Sequence, residues 1–149
     1  MRKTTTWILI ADGARARVLQ SHGDGTGLEP ASVPPQRTKL DADRDVYSDR
    51  PGRVQESVGG AHHAVARRVD WHRFEKEQFA GHVAKLIDAA AGEKKFDHLV
   101  LVAPPRTLGD LRAALAPATR AKVSAELDKD LTHLPDHELP SHLEGVVKL

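Results

Sequence analysis

The chain has 149 residues and no cysteine, which excludes disulfides, thiolate zinc sites, CxxC redox chemistry and a cysteine nucleophile. Its 22 Lys and Arg against 21 Asp and Glu leave a formal charge of +1, which excludes a wholly basic coat or an acidic tail but permits a local basic patch. Hydrophobic residues at 40% and charged residues at 29% are ordinary for a globular chain, and the length suits one domain over 1–149.

The first residues, MRKTTTWILIADGAR, place only about six apolar residues between a basic start and Asp12, against the ~7–15 of a secretory core. No run approaches the ~20 apolar residues of a spanning helix. The expectation is a cytoplasmic protein without membrane insertion.

Residues 6–11, Thr-Trp-Ile-Leu-Ile-Ala, form a continuous apolar run rich in β-formers, as a strand buried on both faces requires. Asp12-Gly13 signals a turn. Residues 14–20 alternate Ala14, Ala16 and Val18 against Arg15 and Arg17, which predicts a half-exposed antiparallel partner. A glycine-rich turn at 23–27 leads to a third strand at 28–33, confined to an edge by Pro30.

Residues 34–69 are polar and aperiodic, and read as a loop far longer than the ~12–15 residues usual for structureless connections. Between Arg37 and Arg68 it carries seven basic residues (Arg37, Lys39, Arg44, Arg50, Arg53, Arg67, Arg68) against five acidic ones, with His62 and His63 beside them. Brought together in space these cations would suit phosphate contacts, but Asp41, Asp43, Asp45 and Asp49 are interleaved among them, and the residues alone favour a solvated loop slightly over a binding one. Tyr47 is its one aromatic residue, so base stacking there has little support.

Asp70 is placed to cap a helix over 71–91, whose buried stripe runs through Phe79, Val83, Leu86, Ile87 and Ala90, with His72 at its start and Gly92 at its end. Residues 96–103 form a second continuous β-run, stopped by Pro104-Pro105, and His98 is expected to be partly buried there. Thr107 is expected to cap a short helix presenting Leu108, Leu111 and Leu115, ended by Pro117. Val123, Ala125 and Leu127 alternate as a fifth strand, and Asp136 is expected to cap a last helix reaching about Val147. The order β-β-β-α-β-α-β-α predicts an α/β fold of ribonuclease H-like topology: a mixed five-stranded sheet with an antiparallel first half and parallel additions through right-handed crossovers.

Asp12 ends the first central strand, where a two-metal nuclease would hold Mg²⁺ with further carboxylates such as Glu75 or Glu77. The second central strand ends in Ala103-Pro104-Pro105 and offers no carboxylate, so a turn-capping role for Asp12 is favoured. His133 and His137 are four apart, but Pro135 stands between them. No metal or cofactor is expected. P-loop, GxGxxG and GxSxG motifs are all missing from the sequence.

Five blocks together resemble the bacterial host attachment protein family: Trp7-Ile-Leu-Ile-Ala-Asp-Gly-Ala-Arg-Ala-Arg-Val18, Asp49-Arg-Pro-Gly-Arg53, Leu99-Val-Leu-Val-Ala-Pro-Pro105, Leu108-Gly-Asp-Leu-Arg112 and Lys129-Asp-Leu-Thr-His-Leu-Pro135. That family is similar to the middle domain of archaeo-eukaryotic class 1 release factors, whose Gly-Gly-Gln loop joins the third strand to the first helix and promotes peptidyl-tRNA hydrolysis. Here Gly59 and Gly60 stand in that place and are followed by Ala61, so the water-positioning amide is missing. The resemblance implies ribosome or tRNA binding without peptide release, and a part in host attachment that is indirect. The sequence reading is therefore a non-catalytic binder using the 34–69 loop, with Arg50, Arg53, Gly59, Gly60, His62, His63, Arg67 and Arg68 as contacts and Asp12 and His72 as a polar site. The alternatives are a divergent metal-dependent nuclease and a protein-interaction module with a protein partner.

Overall fold

The computed structural model describes residues 3–39, 41 and 61–149, with the side chains of 61–69 left aside. Its strands are β1 (Thr6–Ala11), β2 (Arg15–Ser21), β3 (Glu29–Pro30), β4 (Gln36–Arg37), β5 (His98–Ala103) and β6 (Val123–Asp128). Its helices are α1 (Ala61–Gly92), α2 (Pro105–Ala114), α3 (Pro117–Arg120) and α4 (Leu139–Leu143), with a 3₁₀ turn at Asp136–Glu138 before α4.

The strands form one mixed sheet in the order β3-β2-β1-β5-β6. β1 pairs antiparallel with β2 (Leu9 opposite Val18) and parallel with β5 (Leu9 opposite Leu101), and β5 pairs parallel with β6. β1 and β5 lie at the centre, which is why both read as unbroken apolar runs. Alternate residues of β1 feed two cores. Trp7, Leu9 and Ala11 face α1 and α2, packing with Phe79, Val83, Ile87 and Leu111. Ile8 and Ile10 face the other way onto Leu131, Leu139 and Leu143.

Both ends of the described chain lie at the edge where β1 begins. The backbone carbonyl of Lys148 accepts from Ser21 Oγ at 2.8 Å, that of Leu149 accepts from the Gly25 amide at 3.1 Å, and Lys3 pairs with Asp24 at 2.8 Å.

Several expectations are corrected. Among the described residues the sheet has six strands, not five: the strand expected over 28–33 shrinks to β3, still at an edge, and β4 covers the other end of β2. The region expected to be loop through residue 69 is helical from Ala61, so Asp70 lies inside α1 rather than capping it. Residues 61–69 are rich in Ala and Arg, strong helix formers that give no apolar stripe to detect. α1 ends through Lys94, whose φ of 59° supplies the left-handed residue expected of Gly92. α2 begins at Pro105, two residues before Thr107, because a proline at the first helical position loses no hydrogen bond. Pro117 opens α3 as well as closing α2. The last segment starts after Pro135, without a side-chain cap from Asp136, and its α-helix stops at Leu143. His98 heads β5 exposed to solvent.

Candidate functional site

The site grows from the carboxyl ends of the two central strands, where parallel sheets place their crevices. After β1, Asp12 turns the chain: its Oδ1 accepts from the amides of Ala14 and Arg15, each at 2.8 Å, and its own amide donates to the Arg15 carbonyl at 2.9 Å. This is the turn-capping role the sequence favoured. Gly13 lets α1 approach, since a Cβ there would stand 2.6 Å from Cγ of Lys76.

Arg15 leaves the turn toward Asp41, which is 3% exposed and held by Arg15 at 3.2 Å and by Arg37 Nε at 2.9 Å. Burial by itself would push the Asp41 carboxyl up. The hydrogen bonds from Arg37 and then Arg15 outweigh it and hold the group below its ordinary value of 3.8. On α1, Arg73 is fixed by Asp110 of α2 and by Glu77 at 3.2 Å. α2 opens onto the same space with no side-chain cap, so the positive end of its dipole faces the crevice beside Arg106.

The result is a cleft of about 640 Å³ walled by Asp12, Arg15, Arg73, Lys76, Arg106 and Asp130, with His72 and His133 at its rim. Arg15 and Arg73 are neutralised by carboxylates. Lys76 and Arg106 are exposed and have no ion-pair partner among the described residues. The pair and the uncapped helix start together put positive charge on this wall of the cleft.

The segment after β6 supplies the opposite wall. Asp130 and His133 bring ligand atoms within 4.8 Å of each other and of an Asp12 oxygen. Thr132 lies between, its Oγ1 at 3.0 Å from Asp12 Oδ2 and 2.6 Å from Asp130 Oδ1. One hydroxyl proton serves only one carboxylate at a time, so the pair keeps spare acceptor capacity toward the cleft.

Of the residues singled out in the sequence, Asp12 and His72 are brought together at this cleft. His72 is exposed rather than buried. Lys76 already reaches the turn beyond β1, so the helix upstream of it has passed the end of the sheet. Glu77 is committed to Arg73 and Glu75 lies in a neighbouring groove, so neither joins Asp12 as a ligand. Arg50, Arg53, Gly59 and Gly60 lie outside the described residues, and His62, His63, Arg67 and Arg68 fall on the first turns of α1, where only the backbone is described. Sequence reasoning missed Lys76, Arg106 and Asp130, and set His133 aside because it weighed that residue only with His137. Arg106 directly follows the strand-ending Pro104-Pro105, and that position was the available signal.

A family model described as "Protein required for attachment to host cells" matches residues 7–143. The chain belongs to that family. The match runs from β1 through α4, so it includes every wall of the cleft. No curated protein matches this member of the host attachment family. Among solved structures, the type II variant of the Aquifex aeolicus Ppx/GppA phosphatase is similar at 14% identity and a TM-score of 0.40, over 83% of this chain and 35% of that one. The chain thus spans about a third of that phosphatase's length. No described helix is long and apolar enough to cross a membrane.

Proposed function

We propose that this member of the host attachment family is a non-catalytic cytoplasmic RNA-binding protein, engaging RNA, tRNA or the ribosome through the 34–69 segment and the cleft beside it. Its part in attachment is then indirect. The observation that carries this reading is the pair of exposed cations, Lys76 and Arg106, without an ion-pair partner among the described residues and beside the uncapped start of α2. The ribonuclease H-like reading of the topology and the likeness to release factor middle domains belong to the same proposal, and the run of arginines through Arg50 and Arg53 adds to its charge.

Sedimentation through a sucrose gradient tests it. The protein is expected with ribosomes at low salt and at the top of the gradient at high salt, because phosphate contacts release counterions. Replacing Lys76 and Arg106 with alanine should reduce binding about tenfold or more at low salt and flatten the salt dependence by about two contacts. A protein that stays at the top at every salt concentration ends this reading.

A second reading rests on the convergence of Asp12, Asp130 and His133 within 4.8 Å: a divalent ion held there would make the cleft a metal-dependent nuclease site. Incubation of RNA, DNA and hybrid substrates with Mg²⁺ or Mn²⁺ separates the two. Cleavage that is lost in Asp130→Asn would replace the binding reading with the nuclease.

A further inference from the structure

Aromatic residues make up 4% of the chain, and the core takes most of those described: Trp7 and Phe96 pack together with ring centroids 4.9 Å apart, and Phe79 is buried beneath α1. Trp71 and Phe74 are different. They stand 59% and 49% exposed, with rings stacked 5.6 Å apart at an interplanar angle of 27°. They lie eight and five residues before Phe79, about 80° and 140° round the helix from it at ~100° per residue, on the flank opposite the one that carries Val83 and Ile87 into the core. Among the described residues they take no part in either core.

Their surroundings select a ligand. The pair borders a groove of about 570 Å³ shared with Lys39, Glu75 and His82. A small pocket of about 50 Å³ lies between, sharing Thr38 and Glu75 with that groove and Gly13, Asp41, His72 and Lys76 with the cationic cleft. Lys39 thus lies beside the aromatics, and Lys76, an exposed cation of the cleft, lines the pocket between. Flat rings on solvent and cations one step away are the two halves of single-strand recognition, stacking for bases and charge for the backbone.

We infer that Trp71 and Phe74 form a stacking platform for an unpaired nucleobase of single-stranded RNA, whose adjoining phosphates run toward Lys76 and Arg106. This rests on the RNA-binding reading above and specifies its ligand as unpaired rather than duplex RNA. Selectivity for base identity is not expected, since every base offers a π-face.

The test uses the full chain and two fluorescent ten-nucleotide probes, oligouridine and the same backbone with abasic sugars. Trp71→Ala should weaken oligouridine binding about tenfold, Trp71→Phe should restore most of the loss, and the abasic probe should bind wild type and Trp71→Ala alike. The chain has two tryptophans, and Trp7 is 1% exposed. Oligouridine should therefore quench wild-type emission but not that of Trp71→Phe. Equal melting temperatures exclude misfolding as a cause. If oligouridine binds with salt and Lys76 dependence but is indifferent to Trp71 and causes no quenching, the platform is refuted while the RNA-binding reading stands. If neither ribosomes nor either probe binds at low salt, both fall. If Trp71→Ala changes only a concentration-dependent self-association, a second copy of the chain covers the pair and the inference is overturned.

Discussion

The two halves of α1 are one continuous helix under opposite demands. From Phe79 onward it lies across the sheet and contributes Phe79, Ala80, Val83, Ala84, Ile87 and Ala90 to the core. From residue 70 to Gln78 it has no buried residue and shows solvent two aromatic rings, a lysine and a histidine. The sheet supports the first half by burial. The second is tied down by single polar contacts, notably Arg73 to Asp110. Fold stability and the proposed ligand contact thus fall on different stretches of the same element.

The largest expected effect breaks the packed half. Ile87 is wholly buried, and Ile87→Ala should cost about 3 kcal/mol in chemical denaturation, through lost burial and the cavity left behind. On the outrunning half, Arg73→Ala should cost about 1–2 kcal/mol, because Asp110 loses its partner in a part-buried place. Its sharper signature is in hydrogen exchange: amides before Gln78 should exchange faster while those after Val83 keep their protection.

Acid probes the clip beside that half. The folded carboxyl of Asp41 titrates below its ordinary value of 3.8, so its contribution is complete above that value and is lost as pH falls through the lower folded value. Both arginine partners are part-exposed, which limits the effect to about 1 kcal/mol. Asp41→Asn should therefore be less stable than wild type at neutral pH and lose less stability as pH falls below 3.8. The smallest effect is the control for the comparison: Trp71→Ala should change stability by less than about 0.5 kcal/mol. A large loss in thermal melting would mean that the exposed half is packed after all.

The sequence makes legible what burial writes into it. β1 and β5 show as unbroken apolar runs, the β1–β2 hairpin shows through Asp12-Gly13 and the alternation after it, and the rear of α1 shows through the Phe79–Ala90 spacing. The front of α1 is invisible to the same reading, since its helix is held by propensity and polar ties. His72 has the right spacing for the core stripe and is exposed because periodicity reports which side of a helix a residue occupies, not how far the sheet extends beneath it. The cleft is only half legible. Asp12 marks itself as the residue after a central strand, whereas Asp130, His133 and Arg106 reach it from segments whose meeting depends on the parallel additions of β5 and β6. Composition misleads about the aromatics: a total of 4% says nothing about two of them standing together in solvent.

The anchoring of Lys148 and Leu149 against the Ser21–Gly25 corner puts both described ends of the chain at the pole of the sheet opposite the cleft. Immobilising the protein on a sensor chip or bead by either end would therefore present the cationic mouth and the aromatic pair outward, and a tag added at either end would hang clear of them.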